Sequence, residues 1–166
     1  MAFNEMVELA QIMEVHGAMV RRIATVYERD LSRVDELVQD TWIAVWEALP
    51  RLNNQATVKG YIARIAQNIC VTHVRRALVR RTVPLEDTVH DASATPDEAA
   101  ARAIDLALLL EAVQCLPENL KAVATLYLEE MSPQQIAQSL GITEANVAVR
   151  LHRAKAAIRR RCGDPS

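Results

Sequence analysis

The sequence predicts an all-α protein built from two small helical domains joined by a flexible linker, the second containing a helix-turn-helix. Three observations predict it. Only four glycines and six aromatic residues occur among 166, while Ala, Leu, Val and Arg abound, a balance that favours helices over a β-sandwich. Apolar residues recur at helical spacing over most of the chain. One stretch, residues 82–95 (TVPLEDTVHDASAT), loses that period and divides the rest. At 18.5 kDa there is room for one ordinary domain or two small ones.

In chain order, a first helix is expected over Glu5 to Glu28, with Leu9, Ile12, Met13, Val20, Ile23, Ala24 and Tyr27 facing inward. A second starts near Arg33 to Asp35 and ends at Leu49, because Pro50 disfavours helical geometry in the residue before it. Its apolar stripe is Leu37, Val38, Thr41, Trp42, Val45, Trp46 and Leu49. Arg51 to Thr57 reads as a polar loop whose asparagines suit turns. A third helix, Thr57 to Arg81, carries Val58, Tyr61, Ile62, Ile65, Ile69 and Val74 as its stripe and Lys59, Arg64, Gln67, Asn68, Arg75 and Arg76 over the remaining surface. Residues 1–81 thus form the first domain and 82–95 an acidic linker. Its fourteen residues reach ~46 Å when extended, more than one ~34–36 Å turn of DNA.

The second domain, 96–166, opens on a capping box, Thr95-Pro96-Asp97-Glu98. One helix passes through Ile104, Leu108, Leu109 and Val113 and breaks at Leu116-Pro117; another uses Leu120, Val123, Leu126 and Tyr127. Ser132-Pro133-Gln134-Gln135 is a second capping box, opening a short helix (Ile136, Ala137, Leu140) that stops at Gly141. Thr143 caps a longer helix bearing Val147, Leu151, Ala154 and Ile158. A short helix, a tight turn and a longer helix match helix-turn-helix spacing, with Ala137 small enough for a close crossing and Gly141 free to take the positive φ of the turn.

The net charge of −2 hides segregation. Residues 1–50 hold four Arg against nine acids, 51–81 hold seven Lys/Arg and no acid, 82–131 hold two basic residues against ten acids, and 132–166 hold six against two. Charge runs are commonly solvated helix faces, but an acid-free amphipathic stretch of 31 residues between acidic blocks points to a polyanion-facing surface, and the basic last helix to a second. The overall pI of about 6.1 argues against indiscriminate nucleic-acid binding.

Other classes find little support. No apolar run approaches the ~20 residues that span a bilayer, and Met1 to Val20 carries three glutamates rather than a basic leader, so a cytoplasmic protein without membrane insertion is expected. Cys70, Cys115 and Cys162 are far apart with no CxxC, and read as reduced thiols, buried as small hydrophobes, rather than a disulfide framework or metal site. His16, His73, His90 and His152 are scattered, and no HExxH, GxSxG or P-loop occurs. No catalytic residue, cofactor, metal or small-molecule substrate is expected.

The ordered set of motifs resembles a bacterial RNA polymerase sigma factor of the extracytoplasmic-function group, over nearly the whole chain. Asp35-Glu36-Leu37-Val38-Gln39-Asp40-Thr41-Trp42 is similar to the family's region 2.2. Tyr61 to Asn68 with Arg75-Arg76 is similar to regions 2.3–2.4, and Leu116-Pro117 with Met131 to Ala154 to region 4. Thr72, Tyr61 and Ala148-Val149 depart from the family's usual aspartate, tryptophan and Lys-Ser pair. The resemblance implies that the first domain binds core RNA polymerase and melts a −10 element, that the second reads a −35 element, and that an anti-sigma factor controls the protein. Free members of the group commonly hold their domains together or are sequestered.

Carried onto these residues, the resemblance implies polymerase binding by Asp35, Glu36, Leu37, Gln39, Asp40 and Trp42, whose acids suit a basic partner surface. At the −10 element, Asn53, Asn54 and Gln55 offer amides to an unstacked base, while Lys59, Arg64, Gln67, Asn68, Arg75 and Arg76 follow the strand, with Tyr61 mainly core. At the −35 element, Glu144 and Asn146 face base edges and Arg150 and Arg153 hold phosphates, with Thr143 and Val147 in the same DNA-binding segment. Acidic residues of 82–98, among them Glu86, Asp87 and Asp91, are expected to fold back over basic 51–81 in the free state. The competing reading is a helix-turn-helix regulator with an N-terminal dimerisation or sensing domain, which requires a ligand pocket or phosphoacceptor in the first half.

Overall fold

The computed structural model describes residues 2–51, 58–80 and 98–163. The linker 82–95, the loop amides Asn53, Asn54 and Gln55, Arg81, and the Thr95 capping box lie outside the described residues. Helix α1 (Ala2–Tyr27) turns sharply into α2 (Leu31–Ala48). The α2 start lies earlier than expected because Asp30 caps it, its carboxylate accepting from the Ser32 N–H at 2.9 Å. A 3-10 turn, Leu49–Arg51, follows at Pro50, and α3 spans Val58–Arg80. Beyond the linker come α4 (Glu98–Gln114), α5 (Glu118–Leu128), α6 (Pro133–Leu140) and α7 (Glu144–Cys162).

The α6–α7 unit forms as its sequence requires. Ser132 Oγ accepts from the Gln135 N–H at 3.2 Å while the Gln135 side chain accepts from the Ser132 N–H at 2.8 Å, satisfying two donors at the α6 start. Gly141 ends α6 at φ +66°, a left-handed conformation that costs glycine nothing. Thr143 then caps α7 by accepting from the Asn146 N–H at 3.1 Å.

The two halves share one core. Val20, Ile23, Val34, Val45 and Ile62 pack in the same buried cluster as Val123, Leu126, Met131 and Ile136, and Val26 of α1 joins a second cluster with Val113, Leu116 and Ala154. Helix α3 is therefore covered on two sides. Its fully buried positions are Ile62, Ala63, Ala66, Gln67 and Cys70, while the expected stripe members Val58, Tyr61, Ile65, Ile69 and Val74 are half-buried. Small residues sit where helices cross closely. At Gly60 a Cβ would meet Ser139 Oγ at 3.2 Å, and that hydroxyl donates to the Gly60 carbonyl at 3.3 Å.

Polar contacts add to this seam. The Arg22 guanidinium donates twice to the Glu129 carboxylate, both at 2.7 Å, and Lys59 Nζ donates to the Glu129 carbonyl at 2.6 Å. Glu129 ends α5, where the helix dipole disfavours an acid, so these cations answer both charge and dipole. Glu130 beside it adopts φ +61°, closing the helix with Met131 N–H donating to the Leu126 carbonyl. Gln114 Nε2 donates to the Thr25 carbonyl at 2.9 Å, and Arg75 pairs with Glu118 at 2.6 Å.

Several inward assignments are corrected. Met13, Ile104, Leu108 and Tyr127 are exposed, because α1 and α4 extend past their partners and α5 turns its Tyr127 edge outward under Lys155. Of the cysteines only Cys70 is buried, and burial pushes its thiol up to about 12. Cys115 and Cys162 stand exposed just past the ends of α4 and at the end of α7, where packing runs out.

At the α1–α2 corner, burial pushes the Glu28 carboxyl up. The Asp30 N–H, the His73 ring and the Arg29 N–H outweigh it, leaving the carboxyl below its ordinary value. Folding therefore favours the ionised form, a contribution complete above the ordinary Glu pKa of ~4.3 and lost as pH falls through the folded value. Glu28→Gln is expected to flatten the decline of stability between about pH 5 and 3, measured by urea unfolding across a pH series.

Candidate nucleic-acid interface

The outer face of α2 presents Asp35, Glu36, Gln39 and Asp40 to solvent, with Asp35 accepting from Arg21 at 2.7 Å. Leu37 and Trp42, expected on this face, are instead buried in the shared core. They fall with Val34, Thr41 and Val45 on the side turned to α1 and α3. The apolar groups that do continue the acidic face are Ile43 and Trp46, at 58% and 36% exposed. Trp46, expected inward, sits one turn beyond Trp42 and about 40° further round the helix, on the edge of the acidic face. The sequence carried no signal separating the two tryptophans.

On α3, Arg64, Asn68, Thr72, Arg76 and Arg80 are exposed at steps of four along the helix, a stripe about 24 Å long. Three of the other candidates are engaged across the seam. Lys59 holds the Glu129 carbonyl, Arg75 holds Glu118, and Gln67, at 2% exposed, is corrected from the surface to the core. Its amide N–H donates to the Ala122 carbonyl at 3.0 Å and its oxygen accepts from Tyr27 OH at 3.3 Å, which is how a polar side chain is tolerated there. Among the described residues, the acids bonded to this helix include Glu28, just past α1, and Glu118 of α5, while Glu129 meets it through its backbone carbonyl; the expected cover by Glu86, Asp87 and Asp91 lies outside them.

The α7 helix packs on α4, α5 and α6 through Val147, Leu151 and Ala154. Val147 is fully buried, as its place in the apolar stripe predicts, which corrects its inclusion among the −35-binding residues. Thr143 is exposed but its hydroxyl accepts the Asn146 N–H, and the half-buried Asn146 accepts from Arg150 Nε at 3.0 Å. Glu144, His152 and Arg153 are exposed, and Arg159, Arg160 and Arg161 follow in the last turn. A shallow apolar groove, lined by Leu109, Ala124, Leu151 and Ile158, runs between α4, α5 and α7 with Lys155 and Arg159 on its rim. No described helix is long and apolar enough to cross a membrane.

Comparison with known proteins matches this arrangement. The family model for Sigma-70 region 2 covers residues 12–78, and that for Sigma-70, region 4 covers 106–158. The ECF RNA polymerase sigma factor SigM of Mycobacterium tuberculosis is 29% identical over 153 residues, 92% of this chain and 76% of that protein. The ECF RNA polymerase sigma factor SigF of Caulobacter vibrioides is 31% identical over 130 residues, 77% of this chain and 70% of that protein. The fold is shared with the sigma factor RpoE of Bartonella quintana, solved with the anti-sigma factor NepR, at a TM-score of 0.76 and 17% identity over 96% of this chain and 99% of that one. With both halves matched in order by the Sigma-70 family models, and SigF 31% identical over 70% of its length, the chain belongs to the ECF RNA polymerase sigma factors.

Proposed function

We propose that this protein binds core RNA polymerase through the outer face of α2 and directs promoter-specific initiation, residues 1–81 serving the −10 element and 96–166 the −35 element across the 82–95 linker. The observation that carries the reading is the juxtaposition of two surfaces on one half. One half bears both an acidic helix face with Ile43 and Trp46 in it and the cationic stripe of α3, while a second cationic helix, α7, is exposed on the other half. Asp35, Glu36, Gln39 and Asp40 meet the polymerase. Arg64, Asn68 and Arg76, with Asn53, Asn54 and Gln55, meet the melted strand, joined by Lys59 and Arg75 once released. Glu144, Arg150 and Arg153 meet the −35 duplex. The factor works in the cytoplasm, assigns no residue to catalysis, and is held in check by an anti-sigma protein, as RpoE is accompanied by NepR.

Run-off transcription with purified core polymerase tests this. Promoter-specific transcripts are expected only when the protein is added; DNA binding without such rescue would instead identify an operator-binding regulator.

The seam described above sets a condition. Lys59 and Arg75 cannot hold phosphates while Glu129 and Glu118 hold them, so promoter binding requires the halves to part. Glu118→Gln, which frees Arg75, combined with Glu129→Gln, which removes the Arg22 pair that fastens the seam, is expected to raise affinity for a single-stranded −10 oligonucleotide about 10-fold, some 1.4 kcal/mol. Glu8→Gln with Glu14→Gln, equal in charge but off the seam, is the control. Equal gains from both pairs would reduce the effect to net charge.

A further inference from the structure

The polar readers expected on α7 are largely spent inside the helix. Thr143 Oγ1 is occupied by the Asn146 N–H and Asn146 Oδ1 by Arg150 Nε, while Val147 is core. What remains toward solvent in the first turns is Glu144 and three apolar side chains, Ala145, Ala148 and Val149. With Val147, Leu151 and Ala154 directed at the core, the 100° step per residue places Ala145 and Val149 on the opposite pole of the helix, one turn apart. Val149 is 49% exposed on a helix whose other exposed groups are mainly Arg, Lys and His. The seam between the halves sets α1 and α3 against α4, α5 and α6 and leaves this pole open.

An apolar leading edge has a specific counterpart in a major groove. Every base edge there carries hydrogen-bonding groups, and the apolar feature among them is the C5 methyl of thymine. Alanines at 145 and 148 add little bulk, so the helix backbone sits deep enough for the Val149 methyls to reach the groove floor. Arg153 and Arg160, both on one flank of the same pole, are placed for phosphates along that side. Resting on the reading that α7 enters the −35 major groove, we propose that Ala145 and Val149 form a thymine-methyl reader, so that this factor selects −35 elements by apolar contact where amide or guanidinium readers would otherwise act.

The test removes one methyl at a time from the DNA. Holoenzyme reconstituted from core polymerase and the full chain selects promoters from a randomised library, and each thymine of the selected −35 element is then replaced by deoxyuridine. One or two positions are expected to lose about 4-fold in affinity, the worth of one buried methyl group. Val149→Ala should cause a similar loss on the thymine duplex and then be indifferent to uracil at that position. Val149→Thr, equal in size with one methyl exchanged for hydroxyl, should fall between. The exchange lies on the solvent side of α7, and thermal unfolding of each variant matching the parent shows that the fold is intact. Uracil neutral at every position, or full uracil sensitivity retained in Val149→Ala, overturns the proposal while leaving promoter recognition by α7 standing. Failure to select any −35 sequence overturns the underlying reading and this one together.

Discussion

Leu126→Ala is expected to destabilise both halves of the protein together. Leu126 lies on α5, fully buried in the cluster that also holds Ile23, Val34 and Ile62. Removing its branched end should cost about 3 kcal/mol in lost burial and cavity. For a chain of this size that is a fall in Tm of about 6–12 °C. The two tryptophans, Trp42 and Trp46, both sit on α2 in the first half, so their fluorescence reports there while circular dichroism reports the whole. A shared core requires the two transitions to move by the same amount. A tryptophan transition left in place by a change on α5 would show that the halves unfold separately and that the seam contributes little.

Reversing charge on α2 should have a comparable effect on assembly. Glu36→Lys with Asp40→Lys puts two cations on the face proposed to meet a basic surface of the polymerase, and like-charge juxtaposition at an interface costs several kcal/mol. Affinity for core polymerase is expected to fall at least about 100-fold, with folding unchanged because both side chains are exposed. Trp46→Ala should weaken binding without altering its salt dependence, since it removes an apolar anchor rather than a charge. Native-like affinity in the double reversal would remove α2 from the polymerase interface.

The parts of this architecture legible in the sequence are those set by local chemistry. The Ser132–Gln135 box, the left-handed Gly141 and the Thr143 cap each follow from neighbours within four residues, and helix-turn-helix geometry came with them. Helix ends at Pro50 and Pro117 were readable for the same reason. What escaped depends on partners distant in sequence. Helical periodicity assigns α3 one apolar face, whereas two neighbours cover it, so Ala63 and Ala66 became core and Gln67 was drawn inward by Tyr27 and the Ala122 carbonyl. On α2, Leu37 and Trp42 carried motif identity and were assigned to the partner surface, although the same stripe that made the motif recognisable turns them inside. Asp30 was missed as a cap because a Leu31-Ser32 start lacks the apolar rhythm that marks helix beginnings.

The Arg22–Glu129 pair joins residues 107 positions apart in the chain. Translation at roughly 5–20 residues per second delivers the acid about 5–20 s after its arginine. Lys59 precedes its Glu129 carbonyl by 70 residues and Arg75 precedes Glu118 by 43, so for about 2–14 s of synthesis each cation is made and its partner is not. On the proposed function, a newly made chain offers these cations to a template before it can close upon itself.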